Sequence, residues 1–414
     1  MVTEEKYDVV IVGGGASGLM AAGVAASRGK RVVILEKNQR LGEKLRISGG
    51  GRCNITNAEE DVRAFLAHYG DTEQFLYSPF AQFGVEDTFT FFEKLKLPLV
   101  VEARKRAFPE TQKAGDVVRA LERYIKEGKV TVRTGVKVSE IRADGGRISA
   151  VAAGKMTYVG DAYVLATGGV SRPETGSTGD GFKWLQTLGH TVHAPSPTIV
   201  PLRISERWVH KLSGTSLSFM KITFFLNGKK SFSKVGKLLF THFGISGPLI
   251  LNSSKQVADL LEAGEVTATI DCYPDTDLGS LEDKILKVFD VNKNKMFKNV
   301  LDEVVPHGMR EVLGKFVFAI DLEKQVNVIT KEERKAVVHL LKALPITITG
   351  LMGLDRAVVA DGGVQLEEMD MKTMRSKLFQ NLYITGDLLH INRPSGGFSL
   401  QLCWTTGFVA GSNV

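Results

Sequence analysis

The stretch that decides the fold runs from Tyr7 to Asn38: YDVVIVGGGASGLMAAGVAASRGKRVVILEKN. It reads as strand, tight turn, helix, strand. After Asp8, Val9-Val10-Ile11-Val12 is continuously apolar, as expected of a strand buried on both faces. Gly13, Gly15 and Gly18 then form G-x-G-x-x-G. In that spacing the first glycine permits the turn, the second lets the backbone approach a pyrophosphate, and the third lets helix and strand pack closely. A helix beginning near Ala16 directs its N–H groups at phosphates. A second buried strand, Arg31 to Leu35, ends in Glu36, where an acid accepts hydrogen bonds from a ribose diol.

The glycine motif alone is weak. With strand, helix, second strand and terminal acid all in place, it specifies dinucleotide binding. An acid at Glu36 argues for a free 2′-hydroxyl, hence FAD or NAD over NADP. The glycines do not separate FAD from NAD.

The totals bound the rest. A chain of 414 residues suggests two or three domains. The 43% apolar and 24% charged fractions are ordinary for a soluble globular protein. The formal charge of +7 is met by a solvated basic surface, with an anionic cofactor or RNA as the sharper readings. Cys53, Cys272 and Cys403 are far apart and form no C-x-x-C, so neither a redox pair nor a zinc site is signalled. This usage fits a reducing cytoplasm. The polar start MVTEEKYD is unlike a secretory signal. The apolar run Val9 to Ala26 is broken by glycines, which suits a strand–turn–helix better than a membrane span.

Downstream, a Gly-rich loop, RISGGGRCNITN (Arg46 to Asn57), precedes a helical region reaching about Leu95. Asp116 can cap a helix carrying Val117, Val118, Leu121, Tyr124 and Ile125, which Gly128 stops. The segments KVTVRTGVKVSEI, ISAVAA, MTYVG and DAYVLATGG read as a β-meander rather than a second βαβ unit. A meander ending in an apolar strand and Ala166-Thr167-Gly168-Gly169 suits a large FAD-binding fold. No second G-x-G-x-x-G appears, which argues against a separate nicotinamide domain.

From about Ala194 the character changes. Asn227-Gly228 between β segments is a strong hairpin signal, and EVTATID alternates as a half-buried strand. Leu281, Ile285 and Phe289 fall at four-residue spacing. Thr330 and Glu333 make a capping box before RKAVVHLLKAL, which Pro345 ends. The chain is therefore expected to be α/β, with a Rossmann-like FAD-binding domain over 1–194 and 347–414. It is split by an insert over 195–346, a β-barrel carrying a helical module at about 277–344. Lys284, Lys287, Lys293, Lys295 and Lys298 make that module basic, as a solvated face or an RNA contact. Beyond it, a buried strand from Leu382 to Thr385 leads to Gly386-Asp387. An Asp at a strand end can bind a polyol. Gly396-Gly397 then open an apolar helix whose N-terminus can stabilise negative charge on a reduced ring. Ribityl and isoalloxazine fit these two groups better than adenosine and nicotinamide do.

Several further motifs carry a resemblance over nearly the whole chain: GEKLRISGGGRCNITN, FPETQKAGDVV, TGSTGDGF, LFTHFGISGP, ADGGV and TGDLLHINRPSGGFSLQ. With them the chain resembles the YhiN-like or BaiN-like family of NAD(P)/FAD-dependent oxidoreductases. The resemblance implies that Gly13, Gly15, Ala16, Ser17, Gly18, Glu36 and Lys37 hold the ADP part. It implies that Lys44, Ser48, Gly49, Gly50, Gly51, Cys53 and Asn54 lie along the pyrophosphate and flavin. Val138, on a meander strand, should meet the adenine, and Ala166, Thr167 and Gly168 should pass beside the cofactor. Gly386 and Asp387 should meet the ribityl chain, and Gly396, Gly397, Phe398 and Gln401 the flavin end. TGSTGDG is also similar to a stretch of fumarate-reductase-type flavoproteins, which would put Thr175 to Gly181 near the ring. The chain departs from the family pattern at Asp387-Leu388-Leu389-His390 (relatives read E-x-x-D) and at Phe398-Ser399 (relatives read Tyr-Asn).

A flavin reductase also needs a proton donor or an oxyanion stabiliser. His242 in THFGISGP is the first candidate, against a structural hydrogen-bonded histidine. His390 and Arg393 follow Asp387 and face either substrate or the cofactor loop. Arg106 meets either an anionic substrate or a surface carboxylate. Cys53 lies in a basic Gly-rich loop, where a thiol can be acidified, but it has no partner cysteine nearby. The expected activity is hydride transfer from NAD(P)H, as transient donor, through FAD to a C=C or C=O bond of a hydrophobic small molecule. The steroid or bile-acid activity of a relative is a family-level hint for the substrate. Nucleic acid and membrane are not expected partners. The alternatives are an FAD-dependent RNA-modifying enzyme and a flavin-binding protein without turnover.

Overall fold

The computed structural model describes residues 3–316, 320–357 and 359–414. The chain divides into two compact units, Met1–Pro197 with Val358–Val414, and Thr198–Ala357.

The first unit is built on a sheet ordered Met369–Asp370, Arg375–Ser376, Leu382–Ile384, Met156–Leu165, Thr3–Val12, Val32–Glu36, Thr131–Thr134. The first strand is central and parallel to both neighbours, with Val9 opposite Val32 on one side and Ala162 on the other. Val9, Val10 and Ile11 have no exposed surface, as the unbroken apolar run requires. The meander is present where Glu140–Asp144, Arg147–Ala153 and Met156–Leu165 pair antiparallel. Its expected first segment differs. Thr131–Thr134 leaves the meander and extends the parallel sheet beside Val32–Glu36.

Two glycine-lined contacts hold the helices on the sheet. A Cβ on Gly18 would stand 2.0 Å from the Gly13 carbonyl oxygen. Cβ atoms on Gly407 and Gly411 would stand 2.5 Å from the carbonyls of Ser17 and Ala21. The C-terminal helix Phe398–Asn413 thus lies backbone-close on the helix Ala16–Ser27. A small sheet of Thr56–Asn57, Arg106–Pro109 and Leu99–Glu102 follows the Gly-rich loop. Its strands are too short to show a period. Helix Ala114–Glu127 starts two residues before Asp116, so that acid sits in the first turn rather than at the cap.

The second unit contains a closed barrel ordered Leu202–Ile204, Gly244–Ser246, Lys229–Thr241, Ser216–Leu226, Val266–Asp271, Leu344–Leu351. Asn227 and Gly228, both at positive φ (48° and 77°), turn the expected hairpin. The Thr330 capping box forms, with Thr330 Oγ1 accepting from Glu333 N at 3.2 Å and Glu333 Oε2 accepting from Thr330 N at 2.7 Å. Leu281, Ile285 and Phe289 share the buried face of Leu278–Val291. The expected boundary at 346 moves, because the segment after the capped helix is a barrel strand. Leu344–Leu351 pairs with Val266–Asp271 and Leu202–Ile204, which carries the second unit on to Ala357.

Candidate functional site

A cavity opens at the C-terminal ends of the parallel strands of the first unit, where ligands bind in open α/β sheets. Gly13, Gly15, Ala16, Ser17, Glu36, Lys37, Lys44, Ser48, Val138, Ala166, Thr167, Gly168 and Asp387 line it. The three motif glycines divide their work as the spacing implies. A Cβ on Gly13 would meet the Ala166 carbonyl oxygen at 2.4 Å, and Gly18 is closed by Gly13 itself. Gly15 alone faces open space, with nothing within 4 Å of a Cβ there. The helix that follows carries no side-chain cap, so its first N–H groups are left for a ligand.

Glu36 is fixed at its strand end by two backbone donors, Gly14 N to Oε2 at 2.7 Å and Asn38 N to Oε1 at 2.8 Å. Each carboxylate oxygen keeps a lone pair for a ribose hydroxyl. Lys37 bonds Thr178 and pairs with Asp180 at 2.9 Å, while Asn38 Nδ2 donates to the Thr175 carbonyl at 3.0 Å. The TGSTGDG loop therefore closes over the Glu36–Asn38 end of the cavity and, at Gly181, reaches Thr167 and Leu388, from which a Cβ would stand 2.2 Å and 2.8 Å away. Val138 lines the cavity from the connection between Thr134 and Glu140, not from a meander strand.

At the other end stands Asp387. Lys44 Nζ lies 3.1 Å from Oδ2 and also donates to Ser171 Oγ; Arg393 Nη2 donates to Oδ1. Burial pushes this carboxyl up. The adjacent Lys44 and Arg393 charges and hydrogen bonds outweigh burial and hold it well below the usual carboxylate range. Arg393 is only 2% exposed, and its remaining N–H groups go to Ser399 Oγ at 3.0 Å and the Ile391 carbonyl. This corrects its reading as a substrate-facing group: the guanidinium is spent orienting Asp387.

The start of the C-terminal helix is turned differently from the expectation. Ser399, Leu400 and Cys403 line the cavity, at positions i, i+1 and i+4 of one helical face. Phe398 and Gln401 lie on the other face. Phe398 packs among Phe65, His68 and Tyr69. Gln401 is fully buried and fully bonded. Its Oε1 accepts from Thr56 Oγ1 at 2.7 Å and Thr88 Oγ1 at 2.9 Å, and its Nε2 donates to Gly84 O and Thr405 Oγ1, both at 3.1 Å. Gly397 owes its identity to Thr56, whose backbone would be 2.2 Å from a Cβ. Gly396, at φ 120°, gives its carbonyl to Asn57 Nδ2 at 3.3 Å. Gly386 bonds Thr406 Oγ1 through its N–H at 3.0 Å. These glycines are scaffold of the site rather than lining.

In RISGGGRCNITN only Ser48 lines the cavity. Gly49 is tight, 2.6 Å from Asn54 N to a Cβ, whereas Gly50 and Gly51 are open and at φ 68° and 85°. Asn54 Oδ1 is buried with no hydrogen-bond partner among the described residues. Arg52 stacks on the Phe108 ring at 3.9 Å and bonds Gln112 Oε1 at 2.6 Å. Cys53 is completely buried, and burial, only partly offset by its hydrogen bond to Ser48, pushes its thiol up to about 12. Cys403 is pushed up to about 12 by burial and the Asp387 charge. Burial thus disfavours the thiolate at both positions, against a redox nucleophile at Cys53.

His242 lies in the turn after Lys229–Thr241, in the second unit, exposed and edge-on to Phe243 at 4.9 Å; it is not part of the cavity lining. Arg106 Nε donates to the Ala103 carbonyl at 3.1 Å. His390 lies against His193, with ring centroids 4.0 Å apart and the planes tilted by 38°.

A family model described as the HI0933-like protein Rossmann domain matches residues 7–413. The chain belongs to this HI0933-like family. It is an FAD-dependent oxidoreductase of Rossmann-like fold. Among similar proteins is the 3-dehydro-bile acid delta(4,6)-reductase of Clostridium scindens, 29% identical and covering 97% of each chain. Another is the ribosomal RNA dihydrouridine synthase of Escherichia coli, 26% identical over 99% of this chain and 98% of that one. The HI0933-like fold superposes on 3-ketosteroid delta1-dehydrogenase of Sterolibacterium denitrificans with a TM-score of 0.56 over 98% of both chains, at 13% identity. At that identity the likeness is one of fold. The cavity of this HI0933-like chain fits FAD in its own chemistry: an acid held for a diol, an uncapped helix start over an open glycine, and a desolvated carboxylate between two cations. Among the described residues no helix is long and apolar enough to cross a membrane.

Proposed function

We propose that the chain transfers hydride from NAD(P)H, through FAD, to a C=C or C=O bond of a hydrophobic small molecule. The observation that carries this reading is the order of groups along one cavity, from Glu36 through Gly15 and the helix start to the Lys44–Asp387–Arg393 cluster. The bile-acid reductase supports the acceptor class, since its name denotes reduction at ring double bonds.

FAD, when bound, supplies the two-electron chemistry. The chain supplies position and charge. Glu36 accepts ribose hydroxyls, and the N–H groups after Gly15 meet the pyrophosphate. Asp387, kept ionised by its two cations, accepts from the ribityl chain. Ser48 brings the start of the RISGGGRCNITN loop to the cavity wall. The unpaired cysteines are in keeping with a reducing cytoplasm.

The test is anaerobic. The FAD-loaded chain is mixed with NADH, NADPH and artificial donors, then with enones, steroids and quinones. Reduction by a nicotinamide followed by reoxidation by an enone is expected. A flavin that no donor reduces removes the reading.

A second reading, reduction of a base in RNA, is favoured by the two relatives named ribosomal RNA dihydrouridine synthase. Those names weaken the expectation that nucleic acid is not a partner. RNA binding that falls steeply with salt, with a slope of about one per phosphate contacted, would select it.

A further inference from the structure

Two strands that the sequence did not reveal, Val192–Thr198 and Val359–Val364, pair with each other in the first unit. The second carries the motif Ala360-Asp361-Gly362-Gly363-Val364, which the cofactor site does not use. Its glycines are contact points. A Cβ on Gly362 would meet Pro195 Cα at 2.6 Å and the His193 carbonyl at 2.9 Å. A Cβ on Gly363 would meet the Leu388 carbonyl at 2.6 Å and His390 N at 2.9 Å. The strand is therefore pressed against both histidine-bearing segments at once, and His390 N donates to the Val364 carbonyl at 3.0 Å. Side by side, the His193 and His390 rings lie with centroids 4.0 Å apart, tilted by 38°, and Asp361 Oδ1 stands 3.8 Å from His390 Nε2. The carboxylate is itself steadied by Gly362 N, at 3.0 Å.

The cluster adjoins the cofactor cavity. Val359 lines that cavity, and Asp361, two residues on, shares its face of the strand. On the other segment, Asp387 lines the cavity three residues before His390. His193 is exposed and the His390 side chain is 35% exposed, so the pair is open to solvent beside the cavity, although neither ring is part of its lining. The charged groups seen against it include Asp361 from its strand and His193 from the paired strand. On the His390 segment, Asp387 and Arg393 are bonded to each other.

We propose that His390 is the acid of the reductive step, reprotonated from solvent through His193 and oriented by Asp361; this rests on the reductase reading above. For a conjugated enone, FAD, when bound and reduced by NAD(P)H, would supply the hydride that the β-carbon takes up. The π pair moves to the carbonyl as an enolate. The imidazolium N–H of His390 gives its proton to the α-carbon and becomes neutral imidazole. His193 then passes a proton to it. The substrate gains one hydride and one proton, and the charge balances.

The test has two arms. In the full chain with and without FAD, NMR of labelled histidine rings follows the titration of each. Expected are curves in which each ring senses the other, collapsing to single steps in His193→Asn and altered in Asp361→Asn. Independent single-step curves in the wild type, unchanged by replacing either neighbour, overturn the proposal. In the second arm, dithionite-reduced enzyme is mixed anaerobically with 2-cyclohexen-1-one. His390→Asn and His390→Gln are expected to slow flavin reoxidation by about 10²- to 10⁴-fold, with flavin reduction by NAD(P)H unchanged and the pH dependence of reoxidation lost. Reoxidation within threefold of wild type in both variants overturns the proposal while leaving the reductase reading intact. A wild-type enzyme that NAD(P)H reduces but no enone of the panel reoxidises overturns the reading, and the proposal with it.

Discussion

Asp387→Asn exchanges one oxygen for nitrogen and leaves volume almost unchanged, but it removes the carboxylate that Lys44 and Arg393 share. Arg393 is 2% exposed and the Lys44 side chain 29% exposed, so neither cation turns freely to water. Removing one partner of a buried ion cluster costs about 3–5 kcal/mol, because the other charges are left desolvated. For a unit of this size, 1 kcal/mol shifts the melting midpoint by about 2–4 °C, so the variant is expected to melt on the order of 10 °C lower. The first-unit transition is followed by near-UV circular dichroism without FAD, so that cofactor loss does not enter. The pH dependence supplies a second check. A carboxyl whose folded value lies below its unfolded value stabilises the fold above the unfolded value and loses that contribution as pH falls through the folded one. The wild type should therefore lose stability below about pH 4, and the variant should lose less. A melting midpoint within 2 °C of wild type, with the same acid sensitivity, would refute the account of Asp387 as a charge held by two cations.

Gly15→Ala is expected to leave the melting point of the FAD-free chain within about 1 °C while weakening FAD at least tenfold by equilibrium titration, since its Cβ enters open space meant for phosphate. Gly18→Ala should do the reverse first, lowering the melting point by several degrees, because its Cβ would stand 2.0 Å from the Gly13 carbonyl. Gln401→Leu removes four buried hydrogen bonds, although Gly84 O keeps Thr88 N and Thr88 Oγ1, and Thr56 Oγ1 keeps the Asn57 carbonyl; it is expected to cost about 1–3 kcal/mol in urea melts, and FAD loss with unchanged stability would instead return Gln401 to the flavin. His190 is buried between Glu368 Oε2 (2.8 Å) and Ser376 Oγ (3.0 Å), and burial, opposed by Glu368, lowers it. Its unfolded form binds more protons, so stability falls as pH drops below about 6.5. His190→Gln should flatten the urea midpoint between pH 7.5 and 5.5, and an unchanged slope would count against this assignment.

The sheet core and the phosphate turn were legible because their signals are local. Val9 to Val12 is apolar without a break, and Gly13, Gly15, Gly18 and Glu36 sit at fixed offsets within one βαβ unit. What escaped the reading depends on rotation and on distant partners. The face of Phe398–Asn413 turned to the cavity belongs to Ser399, Leu400 and Cys403, and a helix apolar on every side gives no period by which to choose it. Arg393 looked available because its partner Asp387 needs a fold, not a motif, to identify it. The pairing of Val192–Thr198 with Val359–Val364 joins segments on opposite sides of the insert. Neither segment alternates cleanly, and the Gly362-Gly363 pair reads locally as a turn. The end of the insert was misjudged because Pro345 signals the end of a helix and says nothing of the barrel strand it enters.

The strand Met156–Leu165 is completed on one side by Thr3–Val12 and on the other by Arg147–Ala153 along its first residues and Leu382–Ile384 along its last, Tyr163 to Leu165. In the order in which a ribosome delivers the chain, the first two partners are already out when this strand emerges. Leu382–Ile384 follows only after the whole of Thr198–Ala357 has been made. Throughout that interval this part of the sheet edge has unpaired N–H and C=O groups, the condition under which strands recruit foreign partners. The nascent chain already bears the phosphate turn and Glu36, yet lacks Asp387, Ser399 and Cys403. On the proposed flavin site, cofactor capture and closure of the sheet edge both wait for the last portion of the chain, so a stalled or truncated product is expected to be at once colourless and open to aggregation.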